Sequence, residues 1–341
     1  MRFFNKHRLK NYALMLGSIV IVISLLSVSL QVTSAVPSYN YKIVGSKVLS
    51  STGAVVYTGT NFGKALTWTM GQANKVTYVP AGNYIVSTAI YTASGAKLYG
   101  DGDGPTGTVL NFNDASASAE QFVVYNKNGV TFSNFRMTGY GSIEVLASRS
   151  SVTAITIDHV TAYRCHGNDY AFGLIAVSPY KISGVTFTDC HAEGVDGFGY
   201  LLTGTGQKAN IKFTDCSANY CGYYSTRFNK WATGFDVCEL GSVSNVLLTR
   251  CTAKYNLESG FHMEYAASVT GVLFTDCVAS YNGQKPAGFV NGDGTVGPQY
   301  AVGFLFNAKK IPSISFDGCS GVGNIKGLSR MAPRATTLST V

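Results

Sequence analysis

The chain has 341 residues, of which 38 are glycine, 12% are aromatic and only 13% are charged. This composition excludes a disordered chain and a coiled coil, since both are rich in charged residues and poor in aromatic ones. The net charge of +8 falls to +4 without residues 1–35, which hold four basic residues and no acidic one. Such a small excess fits an acidic glycan as partner and gives no reason to expect nucleic acid.

The first 35 residues have the layout of an export signal. A basic start is followed by an apolar run at residues 14–30 and by the small residues Thr33-Ser34-Ala35. This order is typical of a secretory signal peptide, so we expect residues 1–35 to be removed and the protein to be secreted or held at the cell surface. The apolar run is also long enough for an uncleaved membrane anchor, which is the alternative and the one membrane contact that we expect.

Residues 36–75 are predicted to form an N-terminal cap module. Residues 41–44 and 54–57 read as strands, and Asn61 is a suitable N-cap for a helix from Phe62 to Gln72. Such a helix would cover the open end of a repetitive fold, whose first strands otherwise expose a sheet edge.

A short phrase of alternating apolar and polar residues recurs between residues 76 and 326. Its copies end 25 to 42 residues apart, at Phe135, Val160, Cys190, Cys216, Cys251, Cys277 and Cys319. Alternation indicates a strand with one buried face, and recurrence at this spacing indicates a solenoid. Because no copy carries a helical period, we predict an all-β parallel β-helix, right-handed by the general crossover preference, with a polar tail at residues 327–341. The cysteines would form an inward column of free thiols, without zinc-site spacing.

A second strand in each repeat opens with a small residue and Phe, as in Ala171-Phe172, Gly197-Phe198, Gly234-Phe235, Gly260-Phe261 and Gly303-Phe304. Strict alternation places the aromatic ring inside and the next residue outside, which predicts an outward row of Gly173, Gly199, Asp236, His262 and Leu305. Asp236 and His262 would then lie about 4.8 Å apart on adjacent coils. Glu264 lies two residues beyond His262, and Cys238 takes the matching outward place after Asp236. We therefore predict Asp236, His262 and Glu264 as catalytic residues. The plainer interpretation is an exposed Asp–His pair of little energetic value beside a solvated glutamate.

Two long repeats carry insertions, which in solenoids form loops on one face, often the binding face. One insertion precedes Cys251, and the other covers residues 284–300. The first insertion combines aromatic rings with cations, as suits sugar rings that bear carboxylates. Its predicted substrate-binding residues are Tyr223, Tyr224, Arg227, Lys230 and Trp231.

The start of the repeat region resembles a known superfamily. A strand followed by Pro80-Ala81-Gly82 and then by Gly100-Asp101-Gly102 is similar to the first coils of pectate-lyase-like right-handed β-helices, and the resemblance continues to about residue 325. The superfamily includes polysaccharide lyases, glycoside hydrolases, C5-epimerases and non-catalytic surface proteins. It also makes Ca²⁺ a candidate cofactor, although no aspartate cluster here has an evident calcium spacing and no metal ligand is assigned.

One stretch resembles the catalytic segment of mannuronan C5-epimerases, Gly-Phe-Asp-Pro-His-Glu. The corresponding residues are 234–239, in which Asp236 and Glu239 match, whereas Val237 and Cys238 replace the proline and the catalytic histidine. His262, one coil further on, would reach the same space.

These features together predict an exported polysaccharide-active enzyme, a lyase or C5-epimerase of an acidic, uronate-containing glycan. His262 or a tyrosine would remove the proton α to the carboxylate, Arg227 or Lys230 would neutralise that carboxylate, and Asp236 would orient His262. A glycoside hydrolase that uses Asp236 and Glu264 is one alternative. A non-catalytic surface β-helix, such as an adhesin, an envelope component or a glycan-binding module, is another.

Overall fold

A computed structural model describes residues 38–113, 122–167, 169–222, 232–284, 297, 300–306, 313–331 and 339–340. The predicted signal segment at residues 1–35 and all five predicted substrate-binding residues, at 223–231, lie outside the described residues. Within the described part of the chain, no helix has the length and apolarity needed to cross a membrane.

The N-terminal module combines a three-stranded antiparallel meander with one helix. Its strands are β1 (Tyr41–Val44), β2 (Lys47–Ser50) and β3 (Val55–Thr58), and its helix is α1 (Phe62–Met70). Asn61 caps the helix as predicted, since its Oδ1 accepts a hydrogen bond from Lys64 N at 2.9 Å. Trp68 stacks on Tyr57 at 4.9 Å, which fastens the helix to the meander. The role of α1 as an end cap stays a prediction.

The remaining chain is a succession of short strands. In order they are β4 (Val76–Tyr78), β5 (Gly82–Val86), β6 (Ile90–Tyr91), β7 (Lys97–Tyr99), β8 (Thr108–Phe112), β9 (Phe122–Tyr125), β10 (Thr131–Gly139), β11 (Ile143–Ala147), β12 (Val152–Tyr163), β13 (Tyr170–Ala176), β14 (Lys181–Thr188), β15 (His191–Glu193), β16 (Phe198–Thr203), β17 (Gln207–Thr214), β18 (Ser217–Asn219), β19 (Phe235–Cys238), β20 (Gly241–Thr249), β21 (Thr252–Lys254), β22 (Phe261–Met263), β23 (Ala266–Thr275), β24 (Val278–Ser280), β25 (Phe304–Phe306), β26 (Ile314–Asp317), β27 (Ser329–Met331) and β28 (Ser339–Thr340).

The described strands form two sheets. Sheet B contains β6, β9, β11, β13, β16, β19, β22, β25 and β27, each paired in parallel with the next, and sheet A contains the other 19 strands. The recurring phrase lies in sheet A, where Val185, Ile211, Val246 and Val272 are register partners in turn. Each coil thus lies directly on the preceding one. The predicted all-β parallel architecture is confirmed, and its right-handed winding stays a prediction.

Like residues stack in columns through the core. In sheet B the rings of Phe172, Tyr200, Phe235, Phe261 and Phe304 are stacked, with centroids 4.4–5.0 Å apart. The five predicted column cysteines are free thiols, and all but Cys319 are buried. Each is preceded by a residue with positive φ where the chain turns between two strands, for example Asp215 at 57°.

The predicted row was wrong in one coil. Tyr200, rather than Phe198, is in register with Phe172, so Leu201 and not Gly199 precedes Asp236 in the row. The reason is steric, because a Cβ on Gly199 would lie 2.6 Å from the carbonyl oxygen of Gly234. The sequence equivalent of Gly234-Phe235 is therefore Gly199-Tyr200. The buried hydroxyl of Tyr200 donates a hydrogen bond to Cys190 O at 2.7 Å.

A buried asparagine ladder joins three consecutive coils. The side chain of Asn282 accepts from Asn256 N at 3.2 Å and Asn256 Nδ2 at 2.9 Å, and donates to Ala253 O at 3.0 Å and Asn324 Oδ1 at 2.9 Å. A Cβ on Gly260 would lie 2.9 Å from Asn282 Nδ2. The absence of a side chain at Gly260 thus makes room for the Asn282 side chain of the ladder.

Lys208 takes an inward position of sheet A between Ile182 and Val243, and it is fully buried. Its Nζ donates to Gly204 O at 2.9 Å and Gly206 O at 3.2 Å, and also to Leu240 O. The ammonium group therefore clamps the turns of two successive coils. Burial lowers the pKa of Lys208 below its ordinary value of 10.5.

Candidate functional site

Two adjacent strands of sheet B carry the predicted catalytic residues. Asp236 on β19 and His262 on β22 are register partners, as the alternation predicts. Phe235 and Phe261, which precede them, stack in the core 5.0 Å apart. Alternation therefore places the aspartate and the histidine on the opposite face of the sheet.

Glu264 joins the same group. Its Oε2 lies 3.3 Å from His262 Nε2. Asp236 is 0% exposed, His262 4% and Glu264 7%. The interpretation as an exposed pair beside a solvated glutamate is therefore wrong. A row of alternating residues shows which face a side chain takes, but not whether other parts of the chain cover that face.

Cys238 is not part of this group. The pairing of β19 with β22 shifts after Asp236, so that Cys238 rather than Val237 is the partner of Met263. This bulge turns the Cys238 side chain into the hydrophobic core, where it is fully buried. The Cys238 backbone N–H instead donates to Asp236 Oδ1 at 3.1 Å.

The Asp236 carboxyl has an environment that favours its protonated form. Burial raises its pKa well above 3.8, and the nearby carboxylates of Glu239 and then Glu264 raise it further. A side-chain hydrogen bond with Glu239, for which one of the two carboxyls must carry a proton, acts in the same direction. Asp236 is thus suited to hold and deliver a proton.

Other groups, and not Asp236, orient the His262 ring. Ser259 Oγ lies 3.0 Å from Nδ1, and Glu264 approaches Nε2. Ser259 is fully buried, which fixes this contact in place. Sequence reasoning missed Ser259, although its position three residues before His262 in a tight turn was a usable signal.

Tyr300 is a further residue that sequence reasoning did not assign to the site. Its Oη donates to Glu264 Oε1 at 2.8 Å, its backbone N–H donates to Glu258 Oε2 at 2.9 Å, and its ring meets His262 edge-on at 5.6 Å. Burial and the hydrogen bond to Glu264 raise the pKa of Tyr300 well above 10.0. The available signal was its position at the end of the second insertion.

Three potential ligand atoms for a cation converge here. One atom each of Asp236, Glu239 and His262 lies within 4.8 Å of the others. Glu239 matches the resemblance noted in the sequence and is half-buried. Calcium, however, takes six to eight oxygen ligands, so two carboxylates and an imidazole in a buried site are a poor set for it.

Comparison with known proteins gives the fold. No family model matches the sequence, and no curated protein gives a significant match. Tailspike protein 2 of Escherichia coli O157:H7 bacteriophage CAB120 is 12% identical with a TM-score of 0.51; the match covers 90% of this chain and 45% of the tailspike.

Two other solved structures give lower scores. The A-module of mannuronan C-5 epimerase AlgE4 from Azotobacter vinelandii is 14% identical with a TM-score of 0.36, and the match covers 81% of this chain and 95% of the module. Endo-xylogalacturonan hydrolase from Aspergillus tubingensis is 12% identical with a TM-score of 0.38, covering 81% and 94%. The stacked parallel sheets and the likeness to the tailspike show a parallel β-helix fold.

Proposed function

We propose that the protein is a polysaccharide-active enzyme that removes the proton α to the carboxylate of a uronate residue, as a lyase or C5-epimerase. One observation carries the proposal: a buried aspartate, histidine and glutamate meet beside sheet B, and a half-buried tyrosine contacts them. Ionisable groups whose pKa is strongly shifted by burial and by a charged partner cluster at functional sites.

His262 is the proposed base. In the tautomer whose Nδ1–H donates to Ser259 Oγ, Nε2 carries a lone pair and can take a proton. Glu264, with Oε2 3.3 Å from Nε2, would then stabilise the imidazolium that forms.

Asp236 and Tyr300 are the proposed proton donors, since burial and the neighbouring carboxylates keep both groups protonated. Protonation of the leaving oxygen would complete an elimination, and protonation of carbon from the other side would complete an epimerisation. Neutralisation of the substrate carboxylate is proposed for Arg227 or Lys230.

A glycoside hydrolase is the second candidate. The ligand oxygens of Asp236 and Glu239 lie within 4.8 Å, and the pKa of Asp236 is raised. Glycosidases use a protonated and an ionised carboxyl as their catalytic pair. In this pair Glu239 replaces the Glu264 of the sequence-based hypothesis.

The test uses the mature protein and a panel of uronate polymers. Elimination creates unsaturated uronate ends that absorb in the ultraviolet, and His262→Ala should abolish this signal. His159→Ala, at an exposed histidine on β12, is the matched control and should keep full activity. New reducing ends without ultraviolet absorbance would identify a hydrolase. Inversion of the sugar configuration at C5, seen by proton NMR, would identify an epimerase. Glycan binding without any product in all three assays would refute catalysis and favour the surface module.

A further inference from the structure

Asp236 and His262 are buried side chains whose ligand atoms lie within 4.8 Å of each other and of a carboxylate oxygen of Glu239. His262 Nε2 lacks a hydrogen-bond partner among the described residues, and the Asp236 carboxyl bonds Glu239 only through a proton that one of the two must carry. Glu264 Oε2 lies 3.3 Å from that nitrogen, but not in hydrogen-bond geometry. Buried polar atoms are nearly always paired, so the unpaired nitrogen and the proton shared by two carboxyls point to a bound group that the described residues do not supply.

The chemistry of the surrounding atoms defines that group. Asp236, Glu239 and His262 offer two carboxylate oxygens and one imidazole nitrogen within 4.8 Å of one another. A divalent cation would accept a lone pair from each of these three groups. Its charge would displace the proton that Asp236 otherwise holds and would then balance both carboxylates in a buried site.

The mixed donor set selects the kind of cation. Zinc binds imidazole nitrogen and carboxylate oxygen at about 2.0–2.2 Å, commonly through three protein ligands with one position left open. Ligand atoms around tetrahedral zinc are then about 3.4 Å apart. The present separations, up to 4.8 Å, exceed this distance, and half-buried Glu239 is the ligand with the most freedom to close them.

We propose that Asp236, Glu239 and His262 form a site for a divalent transition metal of the zinc type, and not for calcium. The site joins two coils of the β-helix, since Asp236 and Glu239 come from one coil and His262 from the next. This inference does not depend on the proposed function, because it concerns binding alone. It has one consequence for catalysis: the metal occupies Nε2, the nitrogen of the proposed base, so bound zinc should inhibit proton abstraction.

Titration of the chelator-treated mature protein with Zn²⁺, followed by calorimetry, tests the site. One equivalent should bind, and Asp236→Asn, Glu239→Gln and His262→Gln should each weaken binding roughly tenfold or more. A large excess of Ca²⁺ should not displace the zinc. Co²⁺ provides a second readout, because its visible absorption reports nitrogen and oxygen ligation and should change in each variant. Circular dichroism checks that the variants are folded.

His159→Ala is the matched control, because His159 Nε2 lies 3.2 Å from Asp189 Oδ2 on the surface and offers a competing His–Asp pair. Zinc binding that disappears in this variant but persists in Asp236→Asn would overturn the proposal, as would no binding at all. Activity separates the two proposals. Zinc binding together with zinc-dependent activity would support the metal site and refute His262 as the base. Activity that requires His262 in a protein that binds no zinc would refute the metal site and support His262 as the base.

Discussion

The asparagine ladder gives a sharp prediction for Asn282→Ala. The substitution removes four side-chain hydrogen bonds and leaves the backbone N–H of Asn256 without the acceptor that it has in the native protein. At about 1 kcal/mol for each hydrogen bond, the free energy of unfolding should fall by about 4 kcal/mol. Urea denaturation followed by far-ultraviolet circular dichroism measures this change. Faster amide hydrogen exchange in the coil from Ala253 to Asn282 would locate it.

Asn83→Ala provides the matched control, because Asn83 is an exposed asparagine on β5. Its effect should stay within about 0.5 kcal/mol. If the two variants had the same urea midpoint, the ladder would contribute nothing net to stability. The four hydrogen bonds would then merely replace equivalent bonds to water in the unfolded chain.

Three further perturbations test other parts of the structure. Gly260→Ala should lower the free energy of unfolding by about 1–3 kcal/mol, because the new Cβ would lie 2.8 Å from a backbone carbonyl oxygen; Gly104→Ala, with nothing within 4 Å, should be close to neutral by the same urea assay. The pKa of Lys208 in the folded protein lies below its ordinary value of 10.5, so between these two pKa values the unfolded chain binds more protons than the native state. Wild-type stability should therefore rise with pH across that interval. Lys208→Met should remove this rise, measured as urea midpoints at a series of alkaline pH values. The pKa of Asp236 in the folded protein lies above its ordinary value of 3.8, so the native state binds more protons than the unfolded chain, and stability should fall as pH increases from 3.8. Asp236→Asn should lose this pH dependence, measured on chelator-treated protein. Equal pH dependence of the variant and the wild type would show that the buried carboxyl titrates normally.

The sequence predicts the architecture well because the repeat is translational. Period-two alternation and like residues at like positions are consequences of stacked coils, so the row through Asp236 and His262 follows from counting. The error at Tyr200 has a physical cause: Phe198 and Tyr200 are two residues apart, and both satisfy the alternation. Only the contact that a Cβ on Gly199 would make distinguishes the two registers, and that contact involves a residue of another coil.

The site was predicted less completely because it depends on departures from the repeat. The bulge that turns Cys238 inward leaves no trace in a run of apolar residues. Tyr300 reaches Glu264 from an insertion, and an insertion has no period from which to derive a position. Burial of Asp236 likewise depends on what covers the outer face of sheet B, which alternation along one strand does not describe.

The row that contains the site also restricts how the protein can change in evolution. Leu201 precedes Asp236 and Leu305 follows His262 at register positions on neighbouring coils. Because a solenoid gains and loses whole coils at little cost to its packing, duplications elsewhere would lengthen it and leave the site intact. A coil added between Asp236 and His262 would preserve every stacking column yet move the two side chains about 4.8 Å further apart. The number of coils is thus free to drift except across this junction and the next one, from which Tyr300 reaches Glu264.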